Sequence, residues 1–484
     1  MYRLSFELVQ HTPIIHFQAD YQGATLRASE VKPKLDKFLL KHHAQHISEC
    51  DKSIHGESDA QEKRVSLNYK LSFEARDVIT WPADRKNAPM YFGNIGDGKP
   101  KNLVFARGGV TMTILVGRQN KKCQEKPKLA DWLNSDDGHE AICNFFMLHN
   151  FGSRQSKGYG SFTVKENGLL KRGDNCYSYL SFKIQIWPYR DEDSKESDEE
   201  KRNKELYDAQ KKVFSKINYF YRTLRSGLNE CRRGGQSVLY MKPMIFYYAT
   251  DEIRNTWWDK RSIKHAFDLK LKKLNKGKKP KEKPPREEPL EDKQIDYRDM
   301  FGLSTNESWG KHYRDVEIKK SCFFGEGNNR RKVDRMKSPL QFKPILVSED
   351  QRKKTYRIYI GVFEEEVGLS ELVANETIVK VKAIRNDQEI TPQHTKDPSN
   401  NISQGTLDND NSLPLTFPKI GSIVDVINFQ DYHTKLQNEL ICDNGNKEGK
   451  RIRDLLLDIY KQLAKHEQKW KDAIEKEKST PLSR

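Results

Sequence analysis

The 484-residue chain lacks most of the features that would narrow its chemistry at once. It has no Walker A lysine motif, no nucleophile elbow and no GxGxxG fingerprint, so P-loop, serine-hydrolase and dinucleotide chemistries have nothing to rest on. No apolar run is long enough to cross a bilayer. The stretch Met1 to Val9 alternates polar and apolar residues, unlike a secretory signal. Cysteine is sparse: Cys50, Cys123, Cys143, Cys176, Cys231, Cys322 and Cys442 are scattered, odd in number and never form CxxC. They read as reduced thiols in a cytoplasmic protein that needs no metal or other cofactor.

Positive charge is abundant. Lys and Arg number 86 against 69 Asp and Glu, a formal net charge of +17. Such an excess favours a polyanionic partner, nucleic acid ahead of an acidic membrane surface. A surplus that only keeps the protein soluble is the bland alternative.

Hydrophobic periodicity sets the organisation. Leu4, Phe6 and Leu8 alternate as a half-buried strand, and Val31, Leu35, Phe38 and Leu39 keep helical spacing behind Ser29 as N-cap. Val65 to Phe73 and Val110 to Val116 read as two further strands. Gly138 to Asn150 reads as a second helix, and Ser161 to Val164 as a short last strand. The order β-α-β-β-α-β is the ferredoxin-like arrangement, with two helices on one face of an antiparallel sheet. The fold class expected is therefore α+β, as tandem ferredoxin-like (RRM-like) domains with long insertions. The first domain spans 1–170 and a divergent second one spans 177–484. The second carries a basic, proline-rich insertion at 276–290, a polar loop at 391–411 and a C-terminal helix at 450–478. Ser237 to Ala249 reads as one of its strands.

Between the second helix and the fourth strand lies Gly152-Ser153-Arg154-Gln155-Ser156-Lys157-Gly158-Tyr159-Gly160. Glycines let backbone approach a ligand closely, Arg154 and Lys157 add charge, and Tyr159 offers a flat ring. Exposed N–H groups, cations and a stacking surface suit a phosphate-linked chain of bases. A plain tight turn is the alternative.

These pieces resemble the RAMP superfamily of CRISPR-associated proteins, in which a glycine-rich loop follows the last helix of a ferredoxin-like domain. Thr12-Pro13-Ile14, followed by Leu26-Arg27-Ala28-Ser29-Glu30-Val31-Lys32-Pro33-Lys34-Leu35-Asp36-Lys37-Phe38-Leu39, is similar to the first-numbered Cmr subunit of type III-B effector complexes. Arg335-Met336-Lys337-Ser338-Pro339-Leu340 echoes a strand start in that subunit's second half. The resemblance implies a non-catalytic subunit of an antiviral ribonucleoprotein. Its partners would be guide RNA, target RNA and other effector subunits, with no membrane, and it would hold the guide's 3′ region.

For RNA holding the candidates are Arg27, Lys32 and Lys34 at the first helix, and Gly152, Ser153, Arg154, Lys157, Gly158, Tyr159 and Gly160 in the loop. Arg330, Arg331, Arg335 and Lys337 lie downstream of Phe323 and Phe324. Arginine forks onto phosphate, lysine acts as a point charge, and aromatics stack bases. A solvated helix face is the equal alternative for Lys32 and Lys34, and core phenylalanines before a basic loop are the alternative for the last group. Two rival classes stand beside this reading. One is a metal-independent guide-processing endoribonuclease with His11 or His16 as base, since imidazole titrates near neutrality. The other is a protein-interaction scaffold whose basic surface meets an acidic partner. His42 and His46 have the i, i+4 spacing of a metal pair but read better as a solvated helix end.

Overall fold

The computed structural model describes residues 2–15, 25–55, 64–84, 88–89, 102–116, 128–165, 180–188, 196–231, 237–251, 263, 267, 295–303, 306–308, 316–324, 331–333, 335–350, 353–365, 367–374, 377–385, 388–390, 412–443 and 445–479. The fold is α+β, with antiparallel sheets and helices.

Six elements in chain order carry the first sheet and its helices. β1 (Tyr2–Gln10) buries Leu4, Phe6 and Leu8 and exposes Arg3, Ser5 and Glu7, the period-2 pattern of a sheet with one covered face. α1 (Ala28–His42) is capped two residues before the expected position. Arg27 is the N-cap, with extended backbone and a carbonyl that accepts from Glu30 and Val31 N–H. β2 (Tyr69–Ala75) and β3 (Val110–Val116) follow. α2 (Asp136–Leu148) opens at Ser135, whose hydroxyl accepts from Gly138 N–H at 3.3 Å. β4 (Phe162–Val164) ends the set. Strand order is β2-β3-β1-β4 with antiparallel neighbours, which is the β-α-β-β-α-β connectivity. Phe6 meets His139 of α2 at 5.0 Å between centroids, and Phe38 of α1 meets Phe145 of α2 at 5.7 Å. The helices therefore cover the Leu4, Phe6 and Leu8 face.

The stretch Val65 to Phe73 is not one strand. Residues Arg64–Leu67 pair with Lys52–His55, and the chain bends at Asn68 before β2. Asn68 donates its backbone N–H to Asp51 O, and its side-chain amide donates to Cys50 O and Lys52 O, so the bend is held by hydrogen bonds a hydropathy pattern does not register. Cys50 is disulfide-bonded, which corrects the expectation of thiols throughout; Cys143, Cys322 and Cys442 are not in disulfides. Scatter along the chain does not say which cysteines meet in space.

Downstream come β5 (Leu180–Ile186), α3 (Asp198–Arg225), β6 (Asn306–Ser308), β7 (Val316–Phe324) and β8 (Arg331–Val333). β9 (Leu340–Asp350), β10 (Lys353–Val362), β11 (Ile378–Arg385), β12 (Gln388–Ile390) and β13 (Leu413–Thr416) follow. α4 (Phe429–Glu439), α5 (Lys447–Ala464) and α6 (Glu467–Ser479) end the described chain. The expected single closing helix is thus two. The expected strand over Ser237 to Ala249 is a strand, Ser237–Met241, and a short helix, Met244–Ala249. Pro243, which has no N–H for a ladder, stands between them as N-cap.

Two compact units result. One comprises Met1–Asn218, Gln341–Gly361 and Gln468–Arg484, and the other Tyr219–Leu340 and Val362–Glu467. The first adds a sheet ordered β5-β10-β9 to its four-stranded sheet, with Phe182 opposite Ile358 and Ile184 opposite Tyr356. The second is built on a six-stranded sheet, ordered β6-β7-β11-β12 with β8 on β7 and β13 on β11. In this unit Tyr460 of α5 lies 5.9 Å from Phe429 and 5.0 Å from Tyr432 of α4, centroid to centroid. The insertion at 276–290 and the loop at 391–411 lie outside the described residues.

Candidate nucleic-acid interface

The glycine loop connects α2 to β4 and is held on three sides. Thr12, just after β1, donates its hydroxyl to Gly158 O at 2.6 Å and accepts from Ser161 N–H at 3.0 Å. Pro13 O accepts Gly160 N–H at 2.9 Å, and Ile15 O accepts Ser153 N–H at 2.8 Å. From α1, Glu30 accepts Gly152 N–H at 2.6 Å. Lys34 donates to Asn150 O at 3.1 Å and Gln155 Oε1 at 2.7 Å. Asn150 in turn donates to Gln155 O and Phe342 O. The Thr12-Pro13-Ile14 stretch, the start of α1 and the loop, far apart in sequence, therefore form one structure.

Two glycines are required by this packing. A Cβ at Gly160 (φ +65°) would stand 2.0 Å from Phe151 O, and one at Gly152 (φ +79°) 2.7 Å from Ile15 O. Arg154 is also left-handed, at φ 58°, though it carries a side chain. Such backbone costs a non-glycine residue about 1 kcal/mol and collects at functional sites.

The loop differs from the sequence expectation in two respects. Its N–H groups are not a free cradle for phosphate: those of Gly152, Ser153, Lys157, Gly158 and Gly160 are donated inside the protein. Nor is Tyr159 a stacking surface for bases. Its ring is fully buried, in a cluster with Ile15, Leu103 and Phe214. A buried aromatic between glycines serves to pin the loop down. The residues from Ser153 to Lys157 are partly exposed, with Arg154 among them, although the Lys157 ammonium nitrogen itself is out of solvent.

The cations of α1 are partly committed. Lys32 donates to Asp36 at 2.7 Å and Leu67 O at 2.8 Å and lies over the Tyr69 ring, so it ties α1 to the β2 side. Lys34 organises the loop, as described. Arg27 is partly exposed at the helix start. In the second unit Arg331, Arg335 and Lys337 are exposed, the last two flanking buried Met336; Arg330 lies outside the described residues. Arg222 and Arg225, in the last turn of α3, pair with Glu230 and Asp299. The roles of Glu30, Thr12 and Asn150 were not read from the sequence. Asn150, ahead of a glycine run, was the available signal.

His11 is buried, and burial together with the Lys343 charge lowers its pKa from 6.5 to about 3. Its Nδ1 accepts Leu346 N–H at 3.2 Å, so Nε2 carries the proton and donates to Thr163 Oγ1 at 2.8 Å. With both ring nitrogens engaged, His11 is no general base, which corrects that candidate. His16 lies outside the described residues. His46 stacks on Trp132 with centroids 4.8 Å apart, and among the described residues no group of metal-binding side chains assembles. Among the same residues no helix is long and apolar enough to cross a membrane.

Comparison with known families gives two matches. A model described as the Cmr1 N-terminal domain matches residues 1–228, and one described as the Cmr1 C-terminal domain matches residues 240–456. No curated protein and no solved structure matches the chain.

Proposed function

The chain belongs to the Cmr1 family, that of a subunit of type III-B CRISPR effector complexes, and from that premise we propose that it holds RNA without cutting it. The RNA is the guide, or its duplex with target RNA, toward the guide's 3′ region, and other Cmr subunits are its protein partners. The observation that carries the reading is the loop tip. Arg154 stands on backbone braced by Thr12, Glu30 and Lys34, with Lys157 beside it, so little backbone order remains to be lost when a phosphate is gripped. Sequence recognition is then left to base pairing by the guide, and affinity comes mostly from phosphate contacts.

The test is labelled repeat RNA and guide RNA with the purified protein, in EDTA, over a salt series. Salt-sensitive binding without a cut, weakened in an Arg154→Ala, Lys157→Ala double variant, is the expected result. One discrete cut in the repeat overturns the holding role and directs attention to His16. Unchanged binding by the double variant removes the loop from the interface.

A further inference from the structure

The six-stranded sheet of the second unit has one face packed in its core and one face toward solvent. The alternation along β7 separates them: Val316, Ile318, Lys320, Cys322 and Phe324 are buried, while Glu317, Lys319, Ser321 and Phe323 are exposed or partly so. Register brings the second set together with β11 and β8. Lys319 stands opposite Lys382, Ser321 opposite Lys380, and Phe323 opposite Lys332. Directly paired residues of antiparallel strands project from the same face, so four lysines share a face with one half-buried aromatic ring: Lys332 and Lys380 beside it, and the Lys319–Lys382 rung about 13 Å along the strand. Lys380 Nζ lies 5.8 Å from the Phe323 centroid, within reach of the ring's electron-rich face.

From this arrangement we propose that the outer face of the β7–β11 sheet binds a segment of single-stranded RNA, with Lys319, Lys380 and Lys382 on its phosphates and Phe323 beneath one base. The inference rests on the RNA-holding reading but names a different site from the glycine loop. A flat sheet bearing an aromatic ring among cations is a recurrent solution for unpaired nucleic acid, because every base has a face that stacks.

Two carboxylates lie nearby. Glu317 is 3.7 Å from Lys319 Nζ, and Glu389 is 3.0 Å from Lys382 Nζ. Both pairs are solvent-exposed and weak, so a phosphate can replace either carboxylate at little cost.

The probe is a labelled uridine oligomer of about ten nucleotides, short enough to remain unpaired, titrated against the full-length protein over a salt series. Each phosphate contact contributes about −0.7 to the log–log salt slope for single strands, so changing Lys319, Lys380 and Lys382 together to Gln reduces the slope by about 2. The Lys→Arg triple variant keeps it. Phe323→Leu preserves an apolar side chain but not the stacking face, and weakens binding roughly tenfold with the slope unchanged. A 4-thiouridine oligomer cross-links to the peptide that contains Phe323. Wild-type affinity and slope in both the Gln triple and Phe323→Leu overturn the proposal, while the reading of the glycine loop stands if Arg154→Ala, Lys157→Ala still loses guide RNA. Failure of the wild-type protein to bind any RNA overturns both. Loss of another effector subunit in the Gln triple, with oligomer binding intact, assigns the face to an acidic protein and also overturns it.

Discussion

The ring of Tyr159 lies on that of Phe214, with centroids 3.9 Å apart and planes 11° apart. One ring comes from the glycine loop and the other from α3, and both are fully buried. Tyr159→Ala is expected to cost about 3–5 kcal/mol, the range for deleting a core aromatic. A double-mutant cycle with Phe214→Leu should return a coupling of about 0.5–1.5 kcal/mol, read from urea unfolding. Tyr159→Phe keeps the stack and should bind guide RNA like wild type. A loss of RNA affinity in that variant with stability unchanged would return the tyrosine to the interface.

Lys34 is the second residue whose role is local. If its amine serves Asn150 and Gln155, Lys34→Met loosens the loop, and unfolding should show a loss of about 1–2 kcal/mol, reduced because the side chain is partly exposed. RNA affinity falls through loop disorder, yet the salt slope is unchanged. A lysine on phosphate would instead take about 0.7 from the slope. The slope therefore separates a positioning residue from a contact.

Much of this was legible in the sequence, for identifiable reasons. The connectivity of the first sheet followed from Leu4, Phe6 and Leu8 and from Val110, Met112 and Ile114, because alternation reports directly on a sheet with one covered face. The glycine loop was visible because Gly160 and Gly152 occupy backbone only glycine tolerates at no cost. What was not legible was side-chain commitment. Lys32, Lys34 and Arg154 look alike in a sequence, but Lys32 reaches Asp36, Lys34 reaches a carbonyl from α2's end, and only the fold distinguishes them. Tyr159 is ambiguous for the same reason: an aromatic between glycines can face bases or core. Phe323 was noted upstream of the basic cluster, but Lys380 and Lys382, which share its face, were not connected with it. Strand pairing brings them together across more than fifty residues.

The buried face of β7 gives a third prediction. Lys320 donates to Asp299 at 2.8 Å and lies 3.5 Å from Asp296, with all three side chains out of solvent, and Arg225 also reaches Asp299. Lys320→Met leaves two carboxylates buried without that cation and should destabilise the second unit by about 3–5 kcal/mol. Hydrogen exchange along β7 reads this directly, with faster exchange from Val316 to Phe324 than in wild type. Unchanged protection would mean that Arg225 alone neutralises both acids.

Acid should weaken the first unit through His11. Burial and the Lys343 charge hold its pKa at about 3 in the folded protein, against 6.5 ordinarily, and burial does the same to His149, also at about 3. Between these values the unfolded chain binds protons that the folded chain refuses. Stability is therefore complete above about pH 6.5 and is lost as pH falls toward 3, by at most about 1.4 kcal/mol per pH unit for each histidine. Between pH 7 and pH 5 His11 alone accounts for roughly 2 kcal/mol. His11→Gln cannot titrate, and its amide can still donate to Thr163 and accept from Leu346. Even if that variant is less stable at pH 7, its urea midpoint should fall less steeply with acid, by about one proton's worth of slope. A variant with the wild-type slope would show that His11 protonates in the folded state as freely as in water. Its nitrogens would then be accessible, and its exclusion as a general base would fail with the same measurement.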